Sequence, residues 1–371
     1  MSRKPIDKYA ISFATKNISK SDNTKYTAAM ILVVLVAASY GCHSVNSKAI
    51  SPDADTVFYR INTSIRALES QFWKQSLQFL REKKKKLNKV KCYIIIDETC
   101  DSYTGKLCRK EKKCKEKLTV EEKKTLKHIH KYKPEKGDTG SYKYLVFAMV
   151  YGNKRRVLRV KSVKRKENCK GLIIKTLQDL KKEVSYECVL FDRGFYDGLL
   201  IEELKMNNIS FIIRAKISKN MKKIFGFYSK WECHRDFEIG KHKSKGNLVL
   251  GVDFADGKRN KWAFITNLEF GNWHYVRELY KKRWNIENIF KATDGIQLRA
   301  QTNNPTTRLF CVCLSFLFYN AWQNKNKRGT FLNYVMSVLE GILNLIARTV
   351  AFYRDKLKLN FPFWGKNVYS I

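Results

Sequence analysis

The chain has 371 residues, of which 44% are hydrophobic and 13% aromatic. This composition excludes an intrinsically disordered chain, and the length suits one large domain with appendages or two to three smaller domains. Lys and Arg total 73 against 34 Asp and Glu, a formal net charge of +39 spread along the whole chain. So basic a chain favours a nucleic-acid partner, because each neutralised phosphate releases a counterion and adds affinity. The alternative is coding bias toward lysine, which does not explain the shortage of acids.

The first 88 residues are predicted to form a helical domain behind a loose basic arm at residues 1–20. Ala28–Ala38 is apolar but shorter than the about 20 residues that a membrane span needs, so a buried helix is expected and no membrane partner. Asp55–Leu80 predicts one or two further helices. A DNA-binding module and a plain helical bundle both fit this domain. The cysteines follow no regular framework, which is typical of reduced thiols in a cytoplasmic protein.

Residues 89–215 change to apolar runs that predict the first part of a larger core. Five strands are expected, at Cys92–Asp97, Tyr144–Tyr151, Arg155–Val163, Glu187–Asp192 and Ser210–Ala215. Two helices are expected, at Gly171–Lys182 and Gly198–Met206. The first three strands can form an antiparallel meander, whereas the later strands alternate with helices and are expected to be parallel. This α/β arrangement, a mixed sheet with flanking helices, resembles the ribonuclease H-like fold.

The second half of the chain predicts an insertion followed by helices. Residues 216–271 carry short alternating segments, such as Asn247–Asp253 and Trp262–Asn267, and indicate a β-rich insertion. Residues 272–325 complete the core. They contain a long helix over Trp273–Ala292 and another that begins at Asn304–Pro305 and runs through Ala321. Residues 326–371 are predicted to be a helical C-terminal segment.

A Lys- and Glu-rich stretch at residues 100–140 also contains thiols and imidazoles, namely Cys100, Cys108, Cys114, His128 and His130. Their irregular spacing lacks the paired Cys-x2-Cys of a zinc knuckle, so it supports a zinc site only weakly. We expect instead a basic, partly mobile loop that contacts DNA.

Three carboxylates are placed where rigid elements would hold them. Asp97 and Asp192 each end a buried apolar strand, and Glu287 lies in the long helix. Phosphodiester chemistry at neutral pH needs charge neutralisation and a strong nucleophile, which two divalent ions held by carboxylates supply. The three residues therefore predict a two-metal site. Glu98 and Asp101 are alternatives to Asp97, and strand alternation favours Asp97 or a residue two away over Glu98.

The long helix places further polar side chains beside Glu287. Tyr280, Arg283 and Glu287 are three and four residues apart and share one face, and Lys291 continues it one turn on. Arg and Tyr in this position can bind phosphate oxygens, Arg through a two-pronged contact. The alternative is a solvated helix face with an ordinary Arg–Glu pair.

Two more residues are candidate DNA contacts. Arg193 directly follows Asp192, and Trp284 follows Arg283 and can stack on an unpaired base. The alternative for Asp192-Arg193-Gly194 is a strand-ending turn with a local ion pair.

Together these motifs resemble the DDE transposases of prokaryotic insertion sequences, in the subgroup with a Tyr-Arg-Glu-Lys signature. Asp192–Phe195 matches the family's Asp-Arg-Gly-Phe motif, and Tyr280, Arg283 and Glu287 match Tyr-x2-Arg-x3-Glu. The insertion at residues 216–271 and the segment Asn304–Leu309 also fit the family, so the resemblance covers roughly residues 90–325. The family's Lys, seven residues after the Glu, is Asp294 here. That departure leaves the activity of this copy open, with Lys291 as the candidate substitute.

The resemblance implies an enzyme that cuts DNA at the inverted-repeat ends of its element and joins the 3′-hydroxyl ends to target DNA. It implies that Asp97, Asp192 and Glu287 hold two Mg²⁺ or Mn²⁺ ions. It also implies a homodimer on double-stranded DNA, in the cytoplasm at the nucleoid. Two rivals stay open. One is a structure-specific nuclease or resolvase of the same fold, which cuts without joining, and the other is an inactive transposase-derived DNA-binding protein.

Overall fold

The computed structural model describes residues 8–18, 61–113, 117–132, 136–224, 231–240, 242–255, 258–270, 272–294, 302–324, 330–331, 333–338 and 340–341. The chain divides into two compact units. The larger unit contains the described parts of residues 65–292 together with residues 303–305. The smaller unit contains the described parts of residues 1–64, 293–302 and 306–371.

A nine-stranded sheet forms the centre of the larger unit, counted over the described residues. The strands are β1 (Cys92–Tyr103), β2 (Ile129–His130), β3 (Gly140–Tyr151), β4 (Lys154–Val163), β5 (Cys188–Phe191), β6 (Phe211–Arg214), β7 (Glu232–Ile239), β8 (Ser244–Ala255) and β9 (Lys258–Thr266). Their order is β2-β3-β1-β5-β6-β9-β8-β7, and β4 also pairs with β3. The β1–β5 and β5–β6 pairings are parallel, and the others are antiparallel. The predicted mixed sheet, with an antiparallel meander and parallel later strands, is confirmed.

The described residues also form helices. They are α1 (Lys8–Asn17), α2 (Ile65–Leu87), α3 (Leu107–Lys113), α4 (Val120–Leu126), α5 (Lys170–Glu183), α6 (Gly198–Met206), α7 (Lys219–Ile224), α8 (His274–Tyr280), α9 (Trp284–Asp294) and α10 (Pro305–Asn324). Short 3-10 turns follow β5, at Arg193–Phe195, and separate α8 from α9, at Lys281–Arg283. The predicted continuous helix over 273–292 is therefore wrong at this turn, although its two halves are helical.

The alternation of side chains along β1 assigns the two faces of the sheet. Ile94 and Ile96 belong to a core cluster with Phe79 of α2 and Leu177 of α5. Because successive side chains of a strand point to opposite faces, Asp97 lies on the face away from α2 and α5. The carboxylate of Asp97 is therefore on the opposite face of the sheet from the core cluster.

β1 is twice as long as the sequence predicts, so the predicted strand end at Asp97 is wrong. Its pairing with β3 runs from Cys92↔Tyr151 to Tyr103↔Gly140, whereas its parallel pairing with β5 stops at Ile96. The polar half of β1 is extended because β3 supplies hydrogen-bond partners along its whole length. Asp97 is the first residue beyond the parallel part.

The predicted loop at residues 100–140 is also wrong where the structure describes it. The stretch contains α3, α4 and β2. Thr119 and Glu122 form a reciprocal capping box at the start of α4, and Arg165 forms an ion pair with Glu111 at 2.8 Å. These contacts order a segment whose composition alone resembles a mobile loop. Cys114 lies outside the described residues.

The smaller unit contains α1, so the predicted loose arm is wrong for residues 8–17. The rings of Phe13 in α1 and Phe310 in α10 stack with centroids 5.7 Å apart. The helix predicted from Pro305 is confirmed as α10. The predicted helix at 28–38 lies outside the described residues. Within the part of the chain that the structure describes, no helix is long and apolar enough to cross a membrane.

Burial of His128 predicts a loss of stability in acid. Burial is the main cause that lowers its pKa, to about 4, and the charges of Lys164 and Lys161 act in the same direction. The unfolded pKa is about 6.5, so the unfolded chain binds more protons between pH 6.5 and 4 and the folded state loses stability as pH falls through that window. At pH 5 the loss from this residue is about 2 kcal/mol.

The variant His128→Gln is therefore expected to lose less stability than wild type between pH 7 and pH 5. The free energy of unfolding, measured by chemical denaturation at both pH values, checks this. Lys161 and Lys164 stay in place in the variant, so their contribution is common to both proteins. An equal loss in wild type and variant would show that His128 is not the acid-sensitive group.

Candidate active site

Asp97 and Asp192 directly follow the residues through which β1 and β5 pair in parallel. The β1–β5 register ends at Ile96↔Phe191, so Asp97 and Asp192 are the next pair. Asp192 keeps an extended backbone, with φ −73° and ψ 168°. Neighbouring strands lie about 4.8 Å apart, and paired residues share a face. The two carboxylates therefore lie side by side on the face away from α2 and α5.

Arg283 connects the third carboxylate to this pair. Its Nη1 donates a hydrogen bond to Asp97 Oδ2 at 3.1 Å, and its Nη2 donates to Glu287 Oε1. The side chain of Arg283 is only 7% exposed, against 17% for Asp97 and 42% for Glu287. The 3-10 turn ends on Arg283 and α9 begins at the next residue, so this pair spans the junction. The structure thus brings the predicted Arg and Glu to the predicted Asp.

The pKa of Asp97 indicates that Asp192 and Glu287 lie close enough to act on its carboxylate. Burial is the main cause that raises the pKa of Asp97, to about 6, and the charges of Asp192 and Glu287 raise it further. A hydrogen bond from the Glu98 N–H and the charge of Arg283 oppose this. Such a half-buried cluster of negative charge favours a nearby cation.

Tyr280 packs behind Arg283. Its ring lies 4.8 Å from the ring of Phe264 and 5.7 Å from the Arg283 guanidinium. Tyr280 is 5% exposed, and burial raises the pKa of its hydroxyl. Because both Tyr280 and Arg283 are buried, the alternative of a solvated helix face is wrong for these two residues.

The other predicted contacts lie on the surface. Arg193 is exposed in the turn after β5, and Trp284 is 52% exposed at the start of α9. Lys291 and Asp294 are both exposed on α9. Glu98, an alternative to Asp97, faces the other side of β1, where Lys143 Nζ lies 3.4 Å from its Oε2.

The three carboxylates fit a divalent cation by donor chemistry. Carboxylate oxygens are the ligands that Mg²⁺ and Mn²⁺ prefer. Within the described ranges no group of three Asp, Glu, His or Cys side chains is close enough to hold a metal as it stands. The Arg283 guanidinium lies between Asp97 and Glu287 and forms an ion pair with each of them.

Sequence reasoning missed Arg214. The β5–β6 register ends at Phe191↔Ile213, so Arg214 and Asp192 are the residues that directly follow this last pair, as Asp97 and Asp192 follow the last pair of β1 and β5. The signal was available, since Phe211–Arg214 is a buried apolar strand that ends on a charged residue, like the strands before the two aspartates.

With this geometry established, comparison with known proteins decides the family. The profile of the family described as "Transposase DDE domain" matches residues 88–308, more than half of the chain. The chain belongs to this transposase family. The matched region of the transposase contains Asp97, Asp192 and Glu287. No curated protein matches the transposase in sequence.

Solved structures identify the fold of the transposase. The piggyBac transposase, in the cryo-EM structure of its synaptic complex with hairpin DNA, is 11% identical with a TM-score of 0.56. That match covers 99% of this chain and 86% of that chain. The predicted ribonuclease H-like class is confirmed by this likeness. Marinitoga piezophila Argonaute, in complex with 5′ OH guide RNA and target DNA, reaches a TM-score of only 0.22 at 15% identity, over 66% of this chain and 31% of that chain.

Proposed function

We propose that the transposase cuts DNA at the inverted-repeat ends of a prokaryotic insertion sequence and joins the freed 3′-hydroxyl ends to target DNA. The proposal is carried by two observations: Asp97 and Asp192 directly follow the last parallel pair of β1 and β5, and Arg283 bridges Asp97 to Glu287. The spacing of Tyr280, Arg283 and Glu287 supports membership of the Tyr-Arg-Glu-Lys subgroup.

Asp97, Asp192 and Glu287 are the residues that would hold two Mg²⁺ or Mn²⁺ ions. Such ions neutralise a phosphodiester and activate a water or hydroxyl group for attack. The protein supplies the rigid frame, because two paired strands fix the aspartates and α9 carries Glu287. Arg283, which donates hydrogen bonds to Asp97 and Glu287, would also bind phosphate oxygens of the DNA.

The surface around the site supports binding of double-stranded DNA. Arg193, Trp284 and Lys291 are exposed near the carboxylates in sequence, and we assign Arg193 and Lys291 to phosphates and Trp284 to an unpaired base. The helical domain predicted over residues 1–88 would add a second DNA contact. Two element ends require two active sites, so a homodimer on DNA at the nucleoid is part of the proposal.

A strand-transfer assay separates a transposase from a nuclease or resolvase of the same fold. We expect precut element ends, incubated with Mg²⁺ or Mn²⁺ and a target plasmid, to become covalently joined to the target. Ends that terminate in a 2′,3′-dideoxynucleotide are the matched control, because they bind equally and cannot supply the attacking hydroxyl. Cutting without any joining of normal ends would favour the nuclease or resolvase.

A further inference from the structure

A small basic pocket lies beside the candidate active site in the larger unit. Its volume is about 230 Å³, and its lining includes Arg193, Arg214, Lys216 and Lys261. None of the described residues that line it is acidic. Four cationic side chains around one cavity repel one another, so an anion in the pocket would stabilise the arrangement.

The sheet register places this pocket in line with the carboxylates. Asp97 and Asp192 directly follow the residues through which β1 and β5 pair, and Arg214 directly follows the residues of β6 that pair with β5. With about 4.8 Å between strands, Arg214 lies one strand beyond Asp192 and two beyond Asp97. Arg193 adds a second cation directly after Asp192. A strand of DNA bound at the carboxylates would therefore pass within reach of the pocket.

Arg214 is held in place by an aromatic surface. Its guanidinium lies 4.8 Å from the centre of the Trp262 ring, and Arg277 lies 5.0 Å from the same ring. Stacking on Trp fixes a guanidinium plane and leaves its N–H groups available for an oxyanion. Lys216 is exposed just beyond the end of β6 and adds a further positive charge.

The size and charge of the pocket suit a phosphate group. With a volume of about 230 Å³, the pocket is large enough for a phosphate with part of its hydration shell. Arginine pairs with phosphate through two parallel hydrogen bonds, and lysine adds a point charge. An extended apolar ligand would be too large for the pocket, and a cationic ligand would be repelled by its charge.

We propose that this pocket binds a backbone phosphate of the DNA strand that is cut, next to the phosphodiester at the carboxylates. The inference rests on the proposed function, which places that phosphodiester at Asp97 and Asp192. Phosphate contacts position a strand without reading its sequence. The pocket therefore sets which phosphodiester of the element end faces the carboxylates.

The test combines single-phosphate neutralisation of the DNA with charge removal from the pocket. Duplexes carrying the terminal repeat receive one neutral methylphosphonate at successive positions around the cut, and binding is measured without divalent cation. Wild type is compared with Arg214→Met and Lys216→Gln. Lys175→Gln, an exposed lysine of α5 on the opposite face of the sheet, is the matched charge control.

For wild type, one methylphosphonate near the cut is expected to weaken binding roughly tenfold, as for loss of a charged hydrogen bond. Arg214→Met and Lys216→Gln have already lost this phosphate contact. The same methylphosphonate should therefore weaken DNA binding by these variants less than about twofold. Lys175→Gln should keep the full tenfold effect. Lys216→Gln preserves the test if Arg214→Met disturbs packing on Trp262.

The proposal would be overturned if, in both pocket variants, a methylphosphonate at every position weakened binding by the same factor as in wild type. A second result would also overturn it: inorganic phosphate competes with the duplex for wild type but not for the variants, while no methylphosphonate position depends on the pocket residues. That result would identify a site for free phosphate. Binding is measured without divalent cation, so no cleavage is needed. If the proposed function were wrong, the methylphosphonate effect could still depend on the pocket residues, but the protein would not cut DNA.

Discussion

Asp192→Asn is expected to abolish DNA cleavage while DNA binding stays largely intact. Asp192 is one of two carboxylates that the parallel register places side by side. The amide keeps the shape of the side chain and removes the charge that would hold a divalent cation. We expect the cleavage rate to fall roughly 10³-fold or more, because several kcal/mol of transition-state stabilisation are lost. Binding should persist because the net charge of +39 hardly changes.

A nearby aspartate provides the control for this variant. Asp197 accepts a hydrogen bond from the Leu200 N–H at the start of α6 and forms an ion pair with Lys170 at 2.7 Å. Asparagine also caps helices, so Asp197→Asn should fold and cut like wild type. Gel-shift binding and Mg²⁺-dependent cleavage are measured for all three proteins. Wild-type cleavage by Asp192→Asn would place the site elsewhere.

Arg283→Ala is expected to make the stability of the protein depend on divalent cation. Removing the guanidinium leaves Asp97, which is largely buried, without its ion-pair partner. Breaking a fully buried pair costs about 3–5 kcal/mol, and the partial exposure of Glu287 reduces the expected loss to about 2 kcal/mol. A divalent cation can restore the missing positive charge, so Mg²⁺ should stabilise the variant more than wild type.

Thermal unfolding in chelator and in Mg²⁺ measures this difference. Cleavage by the variant should remain low at saturating Mg²⁺, because the phosphate contact of Arg283 is gone. Arg193→Ala removes an exposed arginine next to Asp192 and should leave the unfolding temperature nearly unchanged in both buffers. An Arg283→Ala protein that is as stable as wild type in chelator would show that the buried pair is not needed.

The elements that the sequence predicts best are short and bounded by clear signals. β5 and its following Asp192 are located correctly because four buried apolar residues are followed by an acid. α6 begins and ends where predicted, since Asp197 caps it. Such features depend on neighbouring residues, which the sequence displays directly.

The features that the sequence could not reveal depend on distant partners. The polar half of β1 is a strand only because β3 lies beside it. The contact between Arg283 and Asp97 joins residues that are 186 positions apart. Arg214 lies beside Asp192 because both directly follow the last pair of the β5–β6 register. Pairing register is set by packing of the whole sheet, so strand assignments alone could not bring these residues together.

Metal-dependent cleavage of a duplex that carries the terminal repeat, by wild type and Glu287→Gln, tests the central claim most directly. The wild type is expected to cut at the repeat terminus with Mg²⁺ or Mn²⁺ and not with chelator. Glu287→Gln should bind the same duplex and not cut. Cutting by this variant at the wild-type rate would contradict the role of the third carboxylate. A folded wild type that binds the repeat and cuts with neither ion would contradict the proposed activity and direct attention to Asp294.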